Sequence, residues 1–496
     1  MSQFVAVSGW VLFGASIGGL AMYFFIYRQY YFARSDGFLG STESCPPVSD
    51  LTAAHFRPLS SDNITISERR FPFRVRADLQ QTIDRYFCGE ISVSHFCGVK
   101  HRDSHEGMSL TDCLVPSENN PAVSVPPQNE AIDVGDKEPI QCLKNGLWFA
   151  KKADQKFVIL LAPVGSYGRV TGIQFQIATA NSPAGTEISK EFFKHLEESV
   201  LKADSYRGKI LSLEQSEHSY TGEGTGIKVH KLRYVEREQV ILPHKTLDLL
   251  DRNVIQFSLQ RKELAKYRVA TKKGILFYGP PGTGKTHTIH YLSRALTGHT
   301  TLLVTAEQIG LLSEYMTLAR LLQPSIVVME DVDLIAGDRS KLNTCEEVLL
   351  NKLLNEMDGL NEEADILFLL TTNRPETLEA ALASRPGRVD QAIEFPLPDA
   401  VGRRKLVRLY SQGFTLSDEI METVVRKTEK VSAAFIKELM RRSVQFHLES
   451  NGTGKIELAN VENALDEMLF SGGSLNLKML GAEGAGLTDN ECEVAR

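Results

Sequence analysis

An α/β fold class is what the sequence predicts: a domain on a parallel sheet with a small helical lid, preceded by an α+β domain and one transmembrane helix. Three observations carry this expectation. Short, continuous apolar runs at residues 274–278, 324–329 and 366–372 lead into glycine, acids or an amide, the pattern of strands buried on both faces. A glycine-rich turn, GPPGTGKT at 279–286, joins the first run to a segment of helical spacing, 287–296. Residues 4–27 contain no charged side chain and are long enough to cross a bilayer as a helix.

The apolar segment holds Trp10 and ends among Tyr23, Tyr27, Tyr30 and Tyr31, rings that suit a headgroup layer. Arg28 and Arg34 follow it, so positive-inside reasoning puts the N-terminus outside and the rest of the chain on the cytoplasmic side. A cleaved signal peptide would need a basic n-region and a small-x-small site, and neither is evident. Gly14 and Gly18 lie four apart beside Ala15 and Gly19, a spacing that permits close helix packing. With no Arg-rich presequence ahead of it, the segment reads as an anchor in a bacterial inner membrane.

Residues 28–65, rich in Ser, Pro and Asp, read as a tether. Residues 66–240 read as an α+β domain: strand patterns at 147–150, 157–162, 170–177, 209–213 and 227–234, one helix at 189–203, and a Pro/Asn/Glu/Ser-rich loop at 114–139. Arg69, Arg70, Arg74 and Arg76 make a basic stretch, for which a solvated face is the plain reading and acidic headgroups the other. Residues 242–269 are helical in pattern. A large α/β subdomain at 241–396, a helical lid at 397–470 and a Gly-rich acidic tail at 471–496 complete the plan.

At 496 residues the chain has room for roughly two to four domains, each with its own core. A net charge of -7 argues against a general nucleic-acid binder. Seven cysteines show no pairing pattern. Cys88, Cys97, Cys113 and Cys142 fall near His95, His101 and His105, but without a C-x-x-C pair or regular gaps, so reduced thiols are preferred to zinc.

The chemistry starts at the glycine-rich turn. Gly279, Pro280, Pro281, Gly282, Thr283, Gly284, Lys285 and Thr286 fit G-x-x-x-x-G-K-[ST], a P-loop whose backbone N–H groups wrap nucleotide phosphates, with His287 directly behind. Lys285 can reach the β- and γ-phosphates, and Thr286 can ligate Mg²⁺ through its hydroxyl. Next come the acids Glu330, Asp331 and Asp333 after a buried-strand pattern. There one carboxylate (Glu330) can serve the Mg²⁺ shell and its neighbour (Asp331) can polarise an attacking water. Asn373 tips the following strand, where an amide can orient that water. Arg385 and Arg388 sit on a stiff turn suited to stabilising charge on a transferring phosphoryl group.

GPPGTGKT, LLNEMDGL at 353–360, TTNRP at 371–375 and RPGRVD at 385–390 occur together in an order and spacing that resemble the AAA family of ATPases, over about residues 240–470. That resemblance implies ATP and Mg²⁺ as cofactors and a homo-oligomeric, usually hexameric, ring with nucleotide at the subunit interfaces. It further implies Asn373 as the first sensor, Arg385 and Arg388 as arginine fingers acting on a neighbour's nucleotide, and 430–435 (Lys-Val-Ser-Ala-Ala-Phe) as the lid motif. Three departures stand out. The family's Asp-Glu pair is Glu330-Asp331 here, an order similar to that of the mitochondrial translocases of the Rieske protein. The aromatic–hydrophobic–Gly pore loop expected between 306 and 323 is missing, and Tyr315 there has the helical spacing of a core residue with Leu311, Leu312, Met316 and Leu318. The family's adenine-side Asp-Ile-Gly-Gly is replaced by residues 240–250.

The leading functional expectation is a membrane-anchored AAA ATPase that remodels or translocates protein substrates. A nucleotide-gated scaffold with weak hydrolysis is the alternative, resting on the Glu330-Asp331 order. A DNA-directed motor, resting on Arg69–Arg76, is opposed by the overall acidity and the anchor. No H-E-x-x-H occurs, which disfavours a membrane AAA protease.

Overall fold

The computed structural model describes residues 47–101, 108–115, 120–166, 169–213, 226–335, 353, 355–357, 359, 364–376, 389–450 and 455–471. The expected anchor at 4–27 and nearly all of the acidic tail lie outside the described residues. Among the described residues no helix is long and apolar enough to cross a membrane. From Val48 onward the chain forms one compact unit.

Its N-terminal part is a six-stranded antiparallel sheet in the order β1-β8-β7-β6-β2-β3, built from β1 (Ile64–Pro72), β2 (Ile91–His101), β3 (Ala122–Val125), β6 (Gly146–Lys152), β7 (Gln155–Ser166) and β8 (Arg169–Ala180). A separate hairpin pairs β4 (Asn129–Ile132) with β5 (Ile140–Leu143). The run 157–162 is apolar throughout because β7 is covered on both faces. Phe157, Ile159 and Leu161 point to a core shared with α1 (Arg76–Phe87) and α2 (Pro183–Lys202). Val158, Leu160 and Ala162 point the other way, to Cys97, Cys113, Phe149 and a helix at Val48–Phe56. Burial there pushes the Cys113 thiol up to about 12.

Two sequence expectations need correction. The tether ends before residue 65, because Val48 and Phe56 are buried in the domain core. The stretch 114–139 is not wholly loop: β3 adds to the sheet edge through Gly98↔Val125, and β4 pairs with β5. The basic stretch is largely consumed by ion pairs, Arg69–Glu197, Arg70–Glu68 and a buried Arg76–Glu130 at 2.7 Å.

The second sheet has seven strands in the order β10-β9-β12-β13-β14-β11-β15. β11 (Lys273–Tyr278), β12 (Thr300–Val304), β13 (Ser325–Met329), β14 (Ile366–Thr372) and β15 (Gln391–Glu394) run parallel. β9 (Ile210–Leu213) and β10 (Ile227–Val229), read from sequence as part of the preceding domain, belong to this sheet. β9 pairs parallel with β12 through Thr301↔Ile210. Their apolar residues fit either sheet, and only the pairing register assigns them.

Helices cover both faces. α3 (His244–Leu250) continues through a π-helical turn, Asp251–Gln256, into α4 (Phe257–Lys266). Leu250 and Val254 share a core with Ile289 and Leu292 of α5 (Lys285–Ala295) on one face. On the other face α6 (Leu312–Leu321) packs with Ala77, Val134, Cys142, Ala203 and Tyr206 in a single core, so the N-terminal domain and the parallel sheet are welded together there. Tyr315 is fully buried at this seam, as its spacing predicts. Its hydroxyl accepts from the Leu213 N–H at 2.8 Å and lies 3.0 Å from the Leu303 carbonyl and 2.8 Å from Gln308 Oε1.

The lid is a four-helix unit: α7 (Ala400–Tyr410), α8 (Asp418–Lys427), α9 (Ala433–Glu449) and α10 (Leu458–Asp466) around Val424, Phe435, Leu439 and Val461. Ile241 packs against this core while Leu242 packs against the α5 side of the sheet, so residues 240–243 bridge the two bodies.

Tyr315→Phe leaves the Leu213 N–H without its buried acceptor. A loss of about 1–3 kcal/mol is expected in denaturant titration, and unchanged stability would remove the hydroxyl from this role.

Candidate functional site

β11, β14 and β13 are neighbours, and their carboxyl ends converge at one edge of the sheet. The P-loop leaves β11, Asn373 follows β14, and Glu330-Asp331 follow β13. Crevices at this end of a parallel sheet are where open α/β folds bind ligands.

The loop geometry explains its composition. Gly279, Gly282 and Gly284 all have positive φ, at 142°, 75° and 101°. A β-carbon on Gly279 would lie 2.3 Å from the Phe395 carbonyl oxygen, and one on Gly282 would lie 2.8 Å from Ala434 Cβ. Thr283 Oγ1 ties the turn by donating to the Pro280 carbonyl at 2.9 Å. Gly284 caps α5, whose first turn carries Lys285 and an exposed Thr286. A helix N-terminus with free N–H groups and a lysine beside it favours an anion. His287, one residue on, turns from the loop and bonds through Nε2 with the Gln239 carbonyl at 3.2 Å.

Lys285 is buried, and its ammonium donates to the carbonyls of Gly279 at 2.7 Å and Pro280 at 3.0 Å. Burial lowers its pKa to about 8, against the opposing pull of Asp331 and Asp333. Asp331 is a non-glycine residue at φ +49°, a strained conformation of the kind that clusters at working sites. Its N–H donates to Thr371 Oγ1 at 3.0 Å, and its Oδ1 accepts from Asn373 Nδ2 at 2.9 Å. The structure therefore joins Asp331 to Asn373 directly.

Glu330 stands apart from this pair. It lines a cleft with Ser212, His230, Thr305 and Gln308, and its Oε1 is buried without a hydrogen-bond partner. An orphaned carboxylate oxygen beside a phosphate-binding loop fits a cation-shell role. Together with the glycine cradle, the exposed Thr286 hydroxyl and the Lys285 ammonium, the residues present fit a magnesium nucleotide.

Asp333 belongs to the site as well, although the motif reading passed over its role. It is buried, and its Oδ1 accepts from Thr372 Oγ1 and the Asn373 N–H. The acidic triplet was visible in sequence; the cross-strand contact was not. Arg385 and Arg388 lie outside the described residues. Their turn ends at Asp390, which is clamped to the start of β11: Gly274 N–H donates to its carboxylate at 2.7 Å and its own N–H donates to the Gly274 carbonyl at 2.8 Å. The lid reaches the loop through Ser432, which caps α9, and through the Ala434 N–H, which donates to the Gly282 carbonyl at 3.1 Å.

A glycine cradle, a buried lysine and an acid–amide pair on adjacent strand tips define a P-loop nucleotide-hydrolase site. Residues 275–397 match the model of the ATPase family associated with various cellular activities (AAA), and this segment is an AAA ATPase domain that uses ATP with Mg²⁺. The chain is similar to a proteasome-activating nucleotidase of Methanothermobacter thermautotrophicus, 31% identical over 264 residues, covering 49% of this chain and 62% of that protein. It is also similar to a 26S proteasome regulatory subunit 6B homolog of Dictyostelium discoideum, 33% identical over 218 residues, 40% of this chain and 53% of that one. The matched part thus spans between half and two thirds of these relatives.

Because the free Lys285 loses its proton near pH 8 and phosphate binding favours the charged form, ATP affinity should fall as pH rises from 7 to 9. The limiting slope is about tenfold per unit above the pKa, and Lys285→Arg should flatten it. A wild-type affinity independent of pH across that window would contradict the assignment.

Proposed function

We propose that this protein is an ATP-driven machine that remodels or translocates protein substrates, working as a homo-oligomeric, six-membered ring held at a membrane by residues 4–27. The observation that carries the reading is the Asp331–Asn373 contact on strand tips beside the Lys285 loop, within the AAA segment. Relatives named for the proteasome support work on proteins. The uncharged N-terminal stretch supports the membrane, and the Glu330-Asp331 order supports likeness to the Rieske-protein translocase branch.

In this reading the loop N–H groups, Lys285 and Thr286 hold the phosphates, with Thr286 and Glu330 offering oxygens to Mg²⁺. Mg²⁺ supplies charge neutralisation across the phosphates. Asp331 orients a water and accepts its proton, with Asn373 fixing the carboxylate. Arg385 and Arg388 of one subunit stabilise charge on the neighbour's nucleotide. The segment where a gripping pore loop would stand is α6, whose Tyr315 is fully buried, so substrate contact passes to the N-terminal domain rather than to an aromatic pore.

A nucleotide-gated scaffold with slow hydrolysis is the second reading, favoured by Glu330 lining the cleft with Ser212 and His230. Turnover by the assembled wild type separates the two. Asp331→Asn should lower kcat by about 10²–10⁴-fold while ATP still binds, the size of effect general-base loss produces. An assembled wild type that binds ATP without turning it over would leave the scaffold. Mixing Arg388→Ala with Lys285→Ala subunits should restore some turnover, since one retains a loop and the other a finger; mixtures as inactive as each parent would argue against a shared interface site.

A further inference from the structure

We propose that Asp333 is a positioning residue for hydrolysis: one of its carboxylate oxygens sets the tip of β14, and through Asn373 the pose of Asp331. The inference rests on the ATPase reading above.

Asp333 Oδ1 accepts from Thr372 Oγ1 at 2.8 Å and from the Asn373 N–H at 3.2 Å. Thr372 Oγ1 in turn accepts from the Arg374 N–H at 2.9 Å, so the last hydroxyl of the strand is held from both sides. Asn373 then spends its side-chain amide on Asp331 Oδ1, and Thr371 receives the Asp331 N–H. The bonds form a closed bracket between the ends of β13 and β14, and its only buried charge is Asp333, 7% exposed. Hydrogen bonds to an ionised acceptor in a nearly dry site are the strong members of such a network.

The bracket has work to do because the water-side acid is an aspartate. It is a methylene shorter than the glutamate usual in this family, and its backbone sits at φ +49°. A short side chain on a strained backbone has little freedom to find its own pose, so its aim is set by Asn373 and Thr371. Asp333 fixes both the main chain and the neighbour of that amide. Lys285 also feels Asp333, which raises a rival role as a metal-shell acid.

Two substitutions separate these roles in the full-length protein. Asp333→Ala removes both acceptor bonds; kcat for ATP should fall at least about tenfold, with KM and nucleotide dissociation constant within about threefold of wild type. Asp333→Asn keeps an oxygen that accepts both bonds, and should retain most of kcat with an unchanged Mg²⁺ requirement. Thr372→Val, nearly isosteric, should lower kcat by a smaller factor with KM unaltered, and tests the bracket if the alanine variant does not fold. An alanine variant with wild-type kcat, or one whose loss lies wholly in ATP affinity, would overturn the assignment. So would an asparagine variant as inactive as the alanine one with a raised Mg²⁺ requirement, which is the signature of a metal ligand. A wild type without turnover removes the ATPase reading and this role together, whereas an active wild type with an indifferent alanine variant removes this role alone.

Discussion

The arrangement depends on burial of three parallel strands from both sides. In β14, Ile366, Phe368 and Leu370 enter the core shared with the N-terminal domain, while Leu367 and Leu369 enter the core beneath the P-loop helix. β13 divides in the same way, with Val327 and Met329 on one side and Ile326 and Val328 on the other. A slip of one residue would exchange the two sets, so the register is tightly specified. Each such side chain contributes about 1.5–3 kcal/mol by burial. The strand tips therefore emerge at set heights, and the polar residues that follow them meet without a flexible search.

The same packing ties the nucleotide site to the N-terminal domain. α6 is at once the helix between β12 and β13 and the floor on which Ala77, Cys142 and Tyr206 rest. Tyr315 adds directional bonds to β9 and β12, and Arg207 reaches over to the carbonyls of Leu321 and Gln323. The N-terminal domain and the large ATPase subdomain share a core, whereas the lid joins through the short bridge at 240–243. Motion is thereby channelled to the lid side.

Much of this was legible in sequence because it is local. The loop's glycines answer to local turn geometry, and the buried strands announce themselves as unbroken apolar runs. The helical spacing around Tyr315 distinguished core from pore. What sequence concealed depends on partners distant in the chain. β9 and β10 could serve either sheet, and only the Thr301↔Ile210 pairing decides. The helix at Val48–Phe56 lay in a segment whose Ser and Pro content masked two buried anchors. Asp333 was visible as an acid, but its contacts are made across strands some forty residues away in sequence.

The contact of Gly282 with the lid has a mechanical consequence. There is no room for even a methyl group between that residue and Ala434, and the two backbones are hydrogen-bonded. The contact lies close to the pivot at 240–243, at the first turn of a seventeen-residue helix about 25 Å long. A rigid rod pushed near its fulcrum moves much farther at its free end. A displacement of the phosphate loop by a fraction of an ångström is in this way magnified along α9, and the smallest residue in the loop acts as the point where the lever bears.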